Sequence, residues 1–488
     1  MKSLILLIVL SILGKVTGLF RELSIGIIYG IGDVFDMYIL SMMLPSIILD
    51  VMSSGINSCY IPMHQKYYKK KPNVLIAIGG VTLFISFVLS VMIYLLNFEI
   101  IILLNSNLTD IKIDYLYLYS IPVSIYMFFY IVSEFYKSIL ICNGKVSYIP
   151  IVTSISNIMF ISVLYLLYIN SINSAIALSY CIFALIQIFL NYYISKVKII
   201  KLIKSNGFSY GDLKYFISNY MVLFLPVAIG SISNQLNKAV DKTIVSNLEN
   251  GSLSQLYFSQ QLYAVMVGVF AVNVSLYYYP KICNFINNRD NVLLNSTINQ
   301  SMYILSYISI ALLIVIIIYG EALVDLTLGY GKLTAEDISV ITLFFSIYAS
   351  GLIFESISAI SKRILWASGD TRTPMKIMLI CVGINVILSV YLSTKIGVYG
   401  VIIATVITNL VAMILLMIKV SKMEGVNYNF IYLISRDVFM FFPLITISVL
   451  FFESVFIESQ VVDIIMTIVF IMIVSVKLYY KRNEIENL

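Results

Sequence analysis

KSILICNGKVSYIP at residues 137–150 and KRILWASGDTRTP at 362–374 are approximate copies of one another. Lys137 and Lys362 stand 225 positions apart, and Ile139/Ile364, Leu140/Leu365 and Gly144/Gly369 keep that offset. A second echo relates Ser58, Tyr60 and Pro62 to Leu276, Tyr278 and Pro280 at an offset of 218. An internal copy within apolar sequence predicts a two-lobed transporter, because duplicated bundles of this kind hold substrate between their halves near the bilayer midplane.

The composition agrees. Of 488 residues, 60% are hydrophobic and 11% charged, which excludes an ordinary soluble protein. Apolar runs of about 20 residues, long enough to cross ~30 Å of hydrocarbon as a helix, recur about fourteen times. The expected fold is an all-α polytopic membrane protein with two pseudo-symmetric six-helix lobes. The N-terminal lobe is expected over 1–197 and a cytoplasmic linker over 198–215. The C-terminal lobe follows over 216–422, and two additional helices over 423–488. Lysines interleaved with Ile199, Ile200, Leu202 and Ile203 suit the linker either to a helix on the membrane surface or to a solvated connector.

Charge alternates between the spans. Basic residues collect at 64–71, 196–204, Lys281 with Arg289, 368–376, Lys419 with Lys422, and 479–483, while the intervening loops are acidic or nearly uncharged. By the positive-inside rule the basic loops and both termini are cytoplasmic, so the helix number is even. The net charge of +6 is explained by orientation and anionic lipid and calls for no nucleic-acid partner. Met1 to Gly14 has the charged start and short apolar core of a signal peptide, but lacks a convincing cleavage site and is read as a first span.

Enzymatic signals are poor. The one histidine, His64, sits in a lysine-rich loop, which excludes a histidine-based metal site or catalytic triad. The five cysteines lack metal or redox spacing and read as packing residues. Gly26, Gly30 and Gly32 follow no strand and form no nucleotide fingerprint. With no nucleotide-binding domain, transport is expected to run on ion gradients, membrane potential or downstream consumption.

Polar residues form helical stripes inside the apolar runs. Ser11, Lys15, Gly18 and Glu22 share one face of the first span, with Arg21 on its shoulder. Ser46, Asp50, Ser53 and Asn57 repeat the spacing in the second span. In the seventh, Ser231, Asn234, Lys238 and Asp241 line up, and Gln260 with Gln261 lies in the eighth. Ionisable groups at membrane depth face a wet cavity or a partner. The stripes therefore read either as the lining of a shared cavity or as structural pairs such as Lys15 with Glu22 and Lys238 with Asp241. Glu134 with Lys137 and Glu355 with Lys362 read either as gate ion pairs or as cytoplasmic anchors.

Three stretches carry a family resemblance. GKVTGLFRELSIGIIYGIGDVFDMYILSMMLPSIILDVMSSG (14–55) resembles the opening signature of the MurJ/MviN family, the bacterial lipid II flippases of the multidrug/oligosaccharidyl-lipid/polysaccharide exporter superfamily. NKAVDKTIVSNLENGSLSQLYFSQQLYAVMVGVFAVNVSLYYYPK (237–281) resembles that family's seventh and eighth helices, and KRILWASGDTRTPMKI (362–377) its loop after helix ten. The resemblance implies a cavity whose cations hold the pyrophosphate of a lipid-linked glycan, and extra helices that form a groove for the polyprenyl tail. It also implies a multi-pass protein of the bacterial plasma membrane, with lipids and cell-wall synthesis proteins as partners. Lys15, Arg21, Glu22 and Asp36 match the family's charged cavity or gate positions, and Asp50, Lys238 and Gln261 complete the expected substrate-binding set. The chain departs from the family pattern at Leu49 and Asp50, where an arginine pair is common, at Ser54 in place of a glutamate, and at Gln261 in place of an arginine.

The resemblance implies no cofactor beyond a sodium ion, whose matching positions are Asp241, Asn385, Ser389, the Val401 carbonyl and Thr405. Ser389 replaces a carboxylate often found there. Three other functions stay open on the residues alone: a flippase for a different polyprenyl-linked glycan, to which the departures at Leu49, Asp50 and Gln261 point, a multidrug/cation antiporter of the same superfamily, toward which Asp50 and Gln261 lean, and a membrane-embedded glycan polymerase or ligase. The short acidic loop near 320–337 offers little of the catalytic surface that such an enzyme needs.

Overall fold

A computed structural model describes residues 2–67, 72–105, 108–195, 224, 228, 231–232, 235–329, 331–370, 372–423 and 426. The linker expected over 198–215 and nearly all of the segment 423–488 lie outside the described residues, as does Asn234.

Every described element is a helix. In chain order they are α1 (Lys2–Tyr29), α2 (Asp33–Ser41), α3 (Met43–Tyr67), α4 (Pro72–Leu104), α5 (Asp110–Cys142), α6 (Tyr148–Ile169) and α7 (Ala175–Ser195). A helical stretch, α8, covers 235–246. Then come α9 (Ser252–Met266), a π-helical segment (Val267–Val272), α10 (Asn273–Asn288), α11 (Asn291–Leu328), α12 (Ala335–Ser350), α13 (Leu352–Ala367), α14 (Arg372–Ile396) and α15 (Val398–Ser421). Among the described residues nine helical spans are long and apolar enough to cross a membrane. The pair α12 and α13, bent by 40° at Gly351, makes a tenth.

The chain divides into two compact units. Unit 1 comprises Met1–Ser254 with Gly331–Leu333, and unit 2 comprises Gln255–Tyr330 with Thr334–Leu488. In unit 1, α5 is the central helix and packs on α2, α3, α4 and α7, while α6 joins α1 to α7. Small residues permit the close approach: Ser133, Ser138, Ser156 and Ser179 are fully buried. Three of them return their hydroxyls to the carbonyl one turn back, Ser138 to Glu134 at 3.1 Å, Ser156 to Val152 at 2.8 Å and Ser179 to Ala175 at 2.7 Å. No hydroxyl of these three is then left exposed to hydrocarbon. In unit 2, α13 and α15 pack together, with α11, α10 and α14 around them. Its core gathers Tyr278, Ile282, Ile298, Met302, Ile357, Ile360, Ile364 and Leu416.

The echoed sequences end their helices in the same way. After α5, Asn143 bonds back to Ile139, Gly144 to Ile141 and Lys145 to Leu140. After α13, Ser368 bonds to Ile364, Gly369 to Trp366 and Asp370 to Leu365. Gly144 and Gly369 both take positive φ, at 71° and 86°, which glycine adopts without the clash that a Cβ would bring. Thus the copied stretch encodes one helix stop, used once in each unit. The second echo places Tyr60 and Tyr278 alike in buried positions, Tyr60 edge-on to Phe135 with centroids 5.2 Å apart.

Candidate functional site

Arg21 on α1 reaches side chains of α6 and α7. Its Nε donates to Glu22 Oε1 at 3.1 Å, Nη2 donates to the same oxygen, and Nη1 reaches Asn157 Oδ1 on α6 at 3.3 Å. Three rings surround the guanidinium, with Phe183 at 4.9 Å, Tyr180 at 5.1 Å and Phe160 at 5.7 Å from its carbon. A planar, weakly hydrated cation suits such a setting better than an ammonium does. Tyr180 also donates to Glu22 Oε1 at 3.1 Å, and Asn157 Nδ2 donates to Thr17 Oγ1 at 3.2 Å, so α1, α6 and α7 are tied around one ion pair.

A cavity of about 220 Å³ opens beside this pair, lined by Arg21, Tyr126, Tyr130, Glu134, Lys137, Ile149, Val152, Thr153, Phe183, Gln187 and Asn191. A second ion pair stands on its wall, Lys137 Nζ to Glu134 Oε1 at 3.0 Å. Glu134 is buried and accepts a further bond from Ser53 Oγ on α3 at 2.9 Å. From α7, Gln187 Oε1 accepts the Ser133 hydroxyl and Asn191 Nδ2 donates to Ser133 Oγ, each at 3.3 Å.

The structure distributes the residues expected from the sequence among several settings. Arg21 and Glu22 form the pair just described, and Lys15 lies exposed further along α1. Asp36 is buried and committed to the start of α9, accepting from the backbone N–H groups of Gly251 at 3.0 Å and Ser254 at 2.8 Å and from the Ser254 hydroxyl. A carboxylate there satisfies orphan donors and meets the positive end of the helix dipole. Asp50 is exposed and accepts from Gln235 Nε2 at 3.0 Å. Lys238 is exposed, Gln261 is half-buried in unit 2, and its neighbour Gln260 donates to Tyr348 at 2.9 Å. Glu355 accepts from Tyr263 at 2.7 Å.

Of the residues expected to hold sodium, four meet in unit 2. Asn385 Nδ2 approaches Thr405 Oγ1 at 3.3 Å, Ser389 Oγ donates to Asn385 Oδ1 at 3.3 Å, and Thr405 Oγ1 donates to the Val401 carbonyl at 3.2 Å. Asn385 and Ser389 are fully buried. Oxygen donors of amide, hydroxyl and carbonyl type are those a hard monovalent cation takes. Asp241, buried as well, belongs to unit 1.

Tyr126, Tyr130, Gln187 and Asn191 are the part of the lining that sequence reading left out, whereas Glu134 and Lys137 stood out as an ion pair. Tyr126, Tyr130, Glu134 and Lys137 recur at i, i+4, i+8 and i+11, and Gln187 and Asn191 are one turn apart, so each set had a readable helical face.

A family model described as lipid II flippase MurJ matches residues 25–476. The chain belongs to the MurJ family. Among curated relatives, the probable lipid II flippase MurJ of Buchnera aphidicola subsp. Baizongia pistaciae is 24% identical over 408 residues, covering 80% of this chain and 77% of that protein. The corresponding protein of Buchnera aphidicola subsp. Acyrthosiphon pisum is 22% identical over 473 residues, covering 92% and 88%. The fold of the MurJ family is seen directly in a solved lipid II flippase MurJ in an inward closed conformation, with a TM-score of 0.81, 22% identity and coverage of 99% of this chain and 100% of that one. An inward-facing multidrug resistance MATE family transporter of the MOP superfamily shares the fold at a TM-score of 0.69 and 12% identity, covering 86% and 98%. Membership in the MurJ family makes this chain a membrane transporter rather than the polymerase or ligase left open by its residues.

Proposed function

We propose that this chain carries lipid II, the polyprenyl-diphosphate-linked precursor of the cell wall, from the cytoplasmic to the outer leaflet of the bacterial plasma membrane by alternating access. The observation that carries the reading, beyond family membership, is the Arg21 guanidinium held by three helices beside a polar cavity. A diphosphate cannot enter hydrocarbon bare, since burying an unpaired charge costs many kcal/mol. Of the five N–H donors of Arg21, three are placed on Glu22 and Asn157, which leaves two for a phosphate. Lys15, exposed on the same helix, adds a point charge on the side from which the headgroup would enter. An inside-negative potential assists outward movement of an anion by about 2.3 kcal/mol per charge per 100 mV.

Asp36 enters this reading as a positioning group that fixes the start of α9, and sodium as the ion that resets the carrier. The Asn385, Ser389, Val401 and Thr405 oxygens, none of them charged, would hold the sodium ion, which would supply a fixed positive charge there. Both termini on the cytoplasmic side and contact with cell-wall synthesis proteins complete the proposal.

The direct experiment depletes a bacterial host of its own flippase and expresses this chain. Outer-leaflet lipid II is expected to return. Correct membrane insertion without return of outer-leaflet precursor would remove the lipid II assignment.

A further inference from the structure

We infer that the cavity of unit 1 is a subsite for one uncharged, hydroxyl-bearing ring, the sugar portion of a lipid-linked glycan. The inference rests on the lipid-linked substrate proposed above and goes beyond it by placing a ring among Gln187, Asn191 and the tyrosines of α5.

Charge balance is the first ground. The cavity wall holds two cations, and each already has its carboxylate: Arg21 is paired with Glu22, and Lys137 with Glu134. Pulling either pair apart would leave a buried charge without its partner, a costly change. The full charge of a diphosphate therefore belongs on the Lys15 side of Arg21, and the balanced interior suits a neutral polar group.

Hydrogen-bonding capacity is the second. Asn191 is 3% exposed, and its Oδ1 is a buried acceptor with no partner among the described residues. Such an atom calls for a ligand O–H or N–H. One turn earlier on α7, Gln187 uses its carbonyl on Ser133, so its amide N–H groups are the end available to a ligand. An acceptor and a donor one helical turn apart match ring hydroxyls, each of which donates and accepts. Tyr126, Tyr130 and Phe183 add aromatic surface against which the C–H face of a sugar packs. The size is selective too. A cavity of about 220 Å³ falls below the ~300–1,000 Å³ of pockets for drug-sized ligands, which limits its occupant to a single ring.

The test measures binding to the full-length protein in nanodiscs of two lipids, polyprenyl diphosphate and polyprenyl diphosphate bearing a single sugar ring. Two variants are compared with the parent: Asn191→Leu, which removes the acceptor, and Thr153→Phe, which fills the cavity from α6 while leaving both ion pairs intact. Each is expected to weaken the sugar-bearing lipid about tenfold and to leave the sugarless lipid unchanged. Equal weakening of both lipids, or no change in either, overturns the subsite. A parent protein that binds both lipids equally also overturns it while sparing the proposed function. A parent that binds neither removes the proposed function itself.

Discussion

Tyr180 donates its phenol to Glu22 Oε1 at 3.1 Å while its ring lies 5.1 Å from the Arg21 guanidinium, so one side chain holds both members of the ion pair. The pair is therefore a construction of α1 and α7 together, and its components respond differently to substitution. Glu22→Ala leaves the Arg21 cation without its carboxylate, which for buried pairs costs about 3–5 kcal/mol. Tyr180→Phe keeps the ring and loses one hydrogen bond to a charged group, about 1.5–3 kcal/mol. Thermal unfolding in detergent is expected to rank Glu22→Ala below Tyr180→Phe; the reverse order would mean that the phenol, not the ion pair, is the main tie.

Arg21 itself separates charge from shape. Arg21→Lys keeps the cation but loses the forked donors and the stacking on Tyr180, Phe160 and Phe183. Translocation is expected to fall on the order of tenfold in Arg21→Lys and further in Arg21→Ala, with Lys15→Ala also impaired and Asp50→Ala close to the parent. Wild-type flux in all four variants would mean that the diphosphate is held elsewhere.

Asp36 tests a structural role for a residue that the sequence offers as a cavity charge. Asp36→Asn keeps an acceptor for Gly251 and Ser254 but drops the charge at the α9 N-terminus, an effect of about 0.3–2 kcal/mol. Asp36→Ala removes both. Hydrogen exchange at Gly251–Ser254 is expected to rise in the order parent, Asn, Ala, with substrate affinity unchanged. A selective loss of affinity in Asp36→Asn without faster exchange would return this residue to the binding site.

These contrasts bear on what the sequence could say. The duplication was legible because a helix stop needs glycine at one backbone position, and Gly144 and Gly369 both supply it. Apolar length likewise made the spans legible, since hydrocarbon thickness sets the length of a helix that crosses it. The cavity was not, because it joins α1, α5, α6 and α7 across separations such as the 158 residues between Glu22 and Tyr180. Asp36 shows the same limit from another side. A carboxylate inside an apolar run looks identical whether it meets substrate or the first turn of a distant helix, and only the packing distinguishes them.

Asp370, in the loop after α13, offers a pH test outside the membrane. Hydrogen bonds from Thr373, through its side chain and its backbone N–H at 2.9 Å, hold the Asp370 carboxyl below its usual value of 3.8. A depressed folded-state value means that the contact contributes stability above the unfolded value and loses it as pH falls through the folded one. Protection of the Thr373 amide, relative to its intrinsic exchange rate at each pH, is expected to fall on acidification below 3.8, and Asp370→Asn to remove that fall. An unchanged acid profile in the variant would place the effect on another group. Because the contact lies within one turn, between residues three apart on a half-buried loop group, the change stays local rather than unfolding the unit.

The sodium proposal makes the most specific demand on unit 2. Asn385, Ser389 and Thr405 bond to one another and to the Val401 carbonyl, and none of them carries a charge. Neutral oxygens alone hold a monovalent cation weakly, so the carboxylate expected from the resemblance, Asp241, should decide affinity. Flux is expected to depend on sodium and not on potassium, and to lose that dependence in Asp241→Asn. Thr405→Val, which removes one oxygen while keeping side-chain shape, should raise the sodium concentration needed for half-maximal flux. Ser389→Asp should lower it, because a carboxylate beside Asn385 adds the anionic ligand that this chain lacks at that position. Equal flux in sodium-free buffer at fixed pH and potential removes sodium coupling and leaves the flippase assignment standing. Sodium dependence that survives Asp241→Asn but disappears in Thr405→Val would instead confine the ion to unit 2, with the hydroxyl, amide and carbonyl oxygens as its whole protein shell.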